Sequence, residues 1–163
     1  MRYIADCKSL WKNNLQQLNI TGGDIVFLQT GSWDLYEAEQ RFDYIMEHGR
    51  DMLQSCLKDI KGKLSSRGAK FVIVTTPPFG NMLSGHSRGY RNNFALTAFN
   101  AMVTSAAVNL TIPVHDEFGI ILPRCEYHIA RTHYIIRSLK DNKIRGKVGI
   151  ISANMMLRNL CVL

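Results

Sequence analysis

Residues 24–34 read Asp24-Ile25-Val26-Phe27-Leu28-Gln29-Thr30-Gly31-Ser32-Trp33-Asp34. An apolar run of this length, bounded by polar and glycine residues, suits a parallel strand covered on both faces. Its C-terminal end delivers the chain to Gly31-Ser32-Trp33-Asp34. Gly31 permits close backbone approach, and the N–H groups beside it can hold an oxyanion. Asp34 can accept from the same backbone groups and fix the turn, while Trp33 offers a flat apolar wall with an indole donor.

The surrounding pattern places this stretch in an alternating fold. Upstream, Leu10, Trp11, Leu15 and Leu18 predict a short helix over 7–18, and Gly22-Gly23 a turn. Downstream, Phe42, Ile45, Met46, Met52, Leu53, Cys56, Leu57, Ile60 and Leu64 recur at helical spacing, closed by Ser65-Ser66-Arg67-Gly68. Phe71-Val72-Ile73-Val74-Thr75 predicts a second strand, stopped by Pro77-Pro78. A long polar connection over 79–91 precedes a helix over 93–110, with Phe94, Ala98, Phe99, Met102, Val103, Ala106 and Leu110 on its stripe. Thr111-Ile112-Pro113-Val114-His115-Asp116 predicts a third strand, non-central or beginning at its proline. A last helix is expected over 148–161. The alternation implies an α/β three-layer sandwich around a mostly parallel sheet, whose ligand sites lie at the carboxyl ends of the strands. Residues 30–36, 76–91 and 115–134 are thereby expected to meet.

Composition narrows the function classes. A chain of 163 residues with 46% hydrophobic and 20% charged content supports one packed domain. The formal charge of +7 reflects basic residues spread among acidic ones, without the aromatic interleaving of a nucleic-acid stacking platform. No specific nucleic-acid partner is expected. Cys7, Cys56, Cys125 and Cys161 lack C-x-x-C spacing, so no zinc knuckle is expected, and both free thiols and disulfides stay open. Neither a metal nor a cofactor is expected. No apolar run approaches the roughly 18 residues of a membrane span. Asn19-Ile20-Thr21 and Asn109-Leu110-Thr111 are N-glycosylation sequons.

Chemistry is sought at the three strand exits. His128 and His133 can take and return a proton near neutral pH, with Asp116 and Glu126 as nearby acids. His86 and Arg88 in the long connection can contact substrate, Arg88 with Arg91 placing positive charge over the mouth. Ser32, Ser84 and Ser87 are the serines in reach, and none is read as a nucleophile.

The stretch DIVFLQTGSWDL resembles a conserved block of the SGNH or GDSL hydrolase superfamily, and more narrowly of its PC-esterase branch, which includes the C-terminal domains of neurexophilin-and-PC-esterase proteins. In the wider superfamily that block reads G-x-N-D and lines the oxyanion hole. Gly31 matches the glycine, Trp33 stands at the asparagine and Asp34 matches the aspartate. Arg131-Thr132-His133-Tyr134 resembles the last block, where an aspartate stands three residues before a histidine base. His133 is then the base, but position 130 is Ala130, and His128 has Cys125 at the corresponding place. Asp116 or Glu126 is the substitute acid. The G-D-S block that supplies the family's serine has no counterpart before Asp24.

The resemblance therefore implies a single incomplete SGNH-like domain over 1–163, N-terminally truncated, whose ancestral activity is ester hydrolysis or O-acyl transfer on a carbohydrate-like substrate. Its implied site comprises His133, Gly31 and Asp116 for catalysis, with Trp33, Asp34, His86 and Arg88 for substrate. Activity is expected if a G-D-S segment precedes the chain; otherwise the expectation is a non-catalytic carbohydrate- or protein-binding domain. A secretory or extracellular destination is expected if the chain belongs to a longer precursor, and a cytoplasmic one otherwise.

Overall fold

In the computed structural model, residues 18–31, 35, 42–78 and 93–123 are described, together with the backbone at 136–137 and 144–145. Element order is β1 (Ile25–Gln29), α1 (Phe42–Ser65), β2 (Lys70–Val74), α2 (Asn93–Asn109), β3 (Val114–His115), α3 (Glu117–Ile121), β4 (Ile136–Arg137) and β5 (Ile144–Arg145). β1, β2 and β3 form a parallel sheet in that order, with Val26 opposite Phe71 and Val74 opposite His115. Parallel neighbours require crossover connections, which α1 and α2 supply. The expected α/β architecture is therefore the observed one. The predicted helices over 7–18 and 148–161 lie outside the described residues except for Leu18, which is exposed and not helical.

α1 forms because its apolar residues return to one side every three or four positions. Leu53, Cys56, Leu57, Ile60 and Leu64 are all buried and pack with α2 and β2 into one core. From β2, Phe71 and Ile73 join that core. Val72 and Val74, which point to the other face, are also buried. β2 is thus covered on both faces, as the central strand of a three-layer sandwich must be.

β1 differs from expectation. It is an outer strand of the described sheet, Phe27 is 37% exposed, and Val26 and Leu28 only partly join the core. Four apolar residues in a row specify a strand, but not how many layers cover it. In α2 the buried set is Ala95, Leu96, Phe99, Asn100, Met102, Val103, Ala106 and Ala107, while Phe94 is 86% exposed. The core stripe is rotated from the predicted one, taking in Ala95, Leu96, Asn100 and Ala107 and leaving Phe94 outside. Helices of this high overall apolarity carry a weak periodic signal, so the sequence does not orient them.

The two crossover helices end alike. At α1, Ala69 N–H donates to the Leu64 carbonyl at 3.1 Å and Gly68 N–H to Ser65 at 2.9 Å, with Gly68 at φ 75°. At α2, Ile112 N–H donates to Ala107 and Thr111 N–H to Val108, both at 2.9 Å, with Thr111 at φ 51°. Both are Schellman caps, whose left-handed position normally takes glycine. Thr111 takes it at a cost of about 1–2 kcal/mol for a side chain bearing a β-carbon. Lys61 offsets part of that cost, its Nζ donating to the Leu110 carbonyl at 2.6 Å and to Thr111 Oγ1 at 2.9 Å.

The third strand shrinks to two residues and begins after Pro113, whose carbonyl accepts from Ile73 N–H at 2.9 Å. Proline keeps its acceptor while lacking the donor, so it serves at a strand's entrance. β4 and β5 pair antiparallel, Ile136 opposite Arg145.

Candidate functional site

The carboxyl ends of β1, β2 and β3 bring together Thr30-Gly31, Thr75-Thr76 and His115-Asp116. At the first exit, Gly31 is buried with φ 127°, a backbone region that side chains with a β-carbon rarely adopt. A β-carbon added there would lie 2.7 Å from Phe99 Cε1 and 3.2 Å from Thr76 Oγ1. The Gly31 carbonyl accepts from Leu35 N–H at 2.9 Å, starting a turn that carries Leu35 fully into the core. Glycine is thus required here by packing and by backbone conformation alike.

The second exit is held by Asn100 on α2. Its Oδ1 accepts from Thr76 N–H at 2.9 Å and its Nδ2 donates to the Thr76 carbonyl at 2.8 Å. Both groups are buried, so the carboxamide replaces the ladder partners that Thr76 leaves when the strand ends. Thr76 Oγ1 in turn donates to the Thr30 carbonyl at 2.5 Å. Asn100, Thr76 and Thr30 therefore form one chain of hydrogen bonds that registers the Gly31 turn against α2. Sequence reading passes over Asn100, since a polar residue amid a helical apolar stripe gives no sign of its partner.

At the third exit, Asp116 caps α3. Its Oδ1 accepts from Gly119 N–H and from Thr75 Oγ1, each at 3.0 Å. Thr75 Oγ1 also accepts from Phe118 N–H at 2.9 Å. Asp116 is exposed, so its carboxylate faces the sheet's carboxyl edge while fastening α3 to β2. His115, taken in sequence only as the end of a strand, is 2% exposed, and its Nε2 lies 3.0 Å from Glu117 Oε2. Two titratable groups are thereby buried beside the edge. The signal for them was the His-Asp-Glu run itself, in which alternation points His115 and Glu117 inward and Asp116 outward.

Of the residues singled out in sequence, Gly31 and Asp116 stand at exits of the same sheet edge. Ser32, Trp33, Asp34, His86, Arg88, Glu126, His128 and His133 lie outside the described residues. No serine is read as a nucleophile for want of a G-x-S-x-G pattern, yet the connection between β2 and α2 does contain that spacing at Gly85-His86-Ser87-Arg88-Gly89. In a nucleophile elbow the strand turns directly into its serine. Here β2 ends at Val74, and Ser87 lies outside the described residues. Among the described residues, no cluster of His, Cys, Asp and Glu is arranged to hold a metal ion, and no helix is long and apolar enough to cross a membrane. Cys56, on the buried face of α1, is disulfide-bonded, which decides between the alternatives left open for it.

No protein-family model and no curated protein matches the chain. Solved structures do resemble it. An extracellular lipase from Streptomyces rimosus aligns with a TM-score of 0.53 and 15% identity over 91% of this chain and 75% of the lipase. The protein YXIM from Bacillus subtilis aligns with a TM-score of 0.50 and 15% identity over 94% of this chain and 43% of its own. A further crystal structure gives a TM-score of 0.55 and 13% identity, over 91% of this chain and 68% of that one. At such identities the likeness is one of fold: the chain shares its α/β fold with a lipase.

Proposed function

We propose that the chain is an SGNH-hydrolase-type domain of the PC-esterase branch, and that its sheet edge handles an ester of a carbohydrate-like molecule by hydrolysis or O-acyl transfer. The observation that carries this reading is the Gly31 turn. It sits at a strand's carboxyl end, in a conformation reserved for glycine, and is registered by the Asn100–Thr76–Thr30 hydrogen bonds. A turn whose N–H groups are to stabilise a developing oxyanion must be held rigidly in advance of the reaction. The lipase-like fold supports the same reading.

In this reading Gly31 and the N–H groups after it face the oxyanion, and His133 acts as general base. Asp116 is the acid at the edge. Trp33, Asp34, His86 and Arg88 are its substrate-binding residues. The nucleophile would come from a G-D-S segment outside these 163 residues. The test is hydrolysis of acetylated oligosaccharides by the chain expressed from its whole transcript, beside its His133→Ala form. A large fall in kcat with little change in KM is expected, and unchanged turnover would remove His133 from the mechanism.

A second reading, a non-catalytic carbohydrate- or protein-binding domain, is favoured by two observations. Asp116 already spends Oδ1 on Gly119 and Thr75, and Ala130 occupies the position where the resemblance calls for an acid. Saturable calorimetric binding of acetylated oligosaccharides without turnover by the whole-transcript protein would select it.

A further inference from the structure

We propose that Asn19 and Asn109 are N-glycan acceptors, and that both glycans project from the end of the sheet opposite the candidate site. Both asparagines are exposed, and both precede a strand, Asn19 in the segment ahead of β1 and Asn109 at the end of α2 ahead of β3. Because the strands are parallel, segments leading into them share one pole and segments leaving them share the other. The sequons therefore lie at the pole away from Gly31, Thr76 and Asp116. Acceptor status is independent of the proposed function; only the statement that the glycans leave the mouth open rests on it.

Thr111 supplies a separate argument. The α1 and α2 caps have the same hydrogen-bond pattern, and the left-handed position is Gly68 in one and Thr111 in the other. A β-branched residue is a poor choice for that backbone, and the Lys61 hydrogen bond to its Oγ1 offsets only part of the cost. A sequon accounts for the threonine, because its third position must carry a hydroxyl. The inference runs from an observed backbone outlier to a role. Asn109 itself is the last residue of α2, with an exposed side chain at the cap. The disulfide at Cys56 points the same way, since such bonds persist in the oxidising compartments where N-glycans are added.

The step is a group transfer from a lipid-pyrophosphate-linked oligosaccharide. The Asn carboxamide nitrogen forms a bond to sugar C1 as the C1–O bond to the pyrophosphate breaks. The amide proton passes to a base of the transferase, and the lipid pyrophosphate leaves.

The test uses the chain made from its own transcript in eukaryotic cells, digested with peptide-N-glycosidase in heavy-oxygen water and read by peptide mass spectrometry. Conversion of Asn19 and Asn109 to heavy-oxygen-labelled aspartate is expected; unmodified asparagine at either position overturns the proposal for that site. Thr111→Ser should keep the Asn109 glycan. Thr111→Gly should abolish it while leaving the thermal midpoint equal or higher, because glycine suits the cap. A Thr111→Gly chain still glycosylated at Asn109, or one markedly less stable when both proteins are compared without glycans, would show that Thr111 is kept for the fold alone.

Discussion

At the residue scale, Gly31 and Asn100 are the positions where the smallest change should have the largest effect. Gly31→Ala introduces a β-carbon 2.7 Å from Phe99 in a backbone region it disfavours. Backbone strain of about 1–3 kcal/mol adds to overpacking of similar size. A loss of about 2–5 kcal/mol in urea unfolding is expected, part of it recovered when Phe99→Leu opens space in the same chain. Wild-type stability in Gly31→Ala would show that the turn relaxes freely and is not held. Asn100→Leu strands the Thr76 N–H and carbonyl, both buried, and should cost about 2–5 kcal/mol, since each unsatisfied group costs about 1–3 kcal/mol. Its effect should extend to amide exchange at Gly31, through Thr76 Oγ1 and the Thr30 carbonyl. Protection there that is unchanged in a folded Asn100→Ala protein would break the proposed chain of registration. Gly31 was legible in sequence because few other residues suit a strand-end turn; Asn100 was not, because its partners lie 24 residues away.

At the element scale, the caps and the third strand divide the work. Asp116→Ala removes the α3 cap and leaves Thr75 without its acceptor, for an expected loss of about 1–2 kcal/mol. Asp116→Asn keeps an acceptor oxygen for Gly119 and should stay close to wild type in denaturant midpoint. If the chain expressed from its whole transcript hydrolyses acetyl esters, a collapse of kcat in a stable Asp116→Asn protein would establish Asp116 as the acid, and undiminished kcat would reduce it to a cap. Glu117→Ala deprives a buried imidazole of its acceptor and should cost about 1–3 kcal/mol, whereas Glu117→Gln should cost less. Equal losses in the two variants would mean that charge, and not hydrogen bonding, holds the pair. α1 and β2 were read almost to their ends because an amphipathic stripe and a β-branched run are local signals. β3 and α3 were not, because a two-residue strand exists only through the neighbour that accepts it.

At the scale of the molecule, the sheet, its two crossover helices and the Cys56 disulfide determine what is rigid. Reduction of the disulfide is expected to lower stability by about 2–4 kcal/mol, read from denaturation midpoints with and without reductant. An unchanged midpoint would mean that the bond adds nothing to the packing already around Cys56, which is 5% exposed.

The local pattern alone predicted strands over 25–28 and 71–75 and a helix over 42–64, each within a residue of the observed ends, and the alternation between them. It did so because periodicity and β-branching act on a residue's immediate neighbours. It also marked Gly31 as the place where the chain must turn. Only the tertiary structure decided that β2 and not β1 is the strand shielded on both sides, that Asn100 braces the turn, and that His115 and Glu117 meet in the interior. Those outcomes depend on which faces are brought together when the crossover helices pack, and burial is a property of the assembled layers.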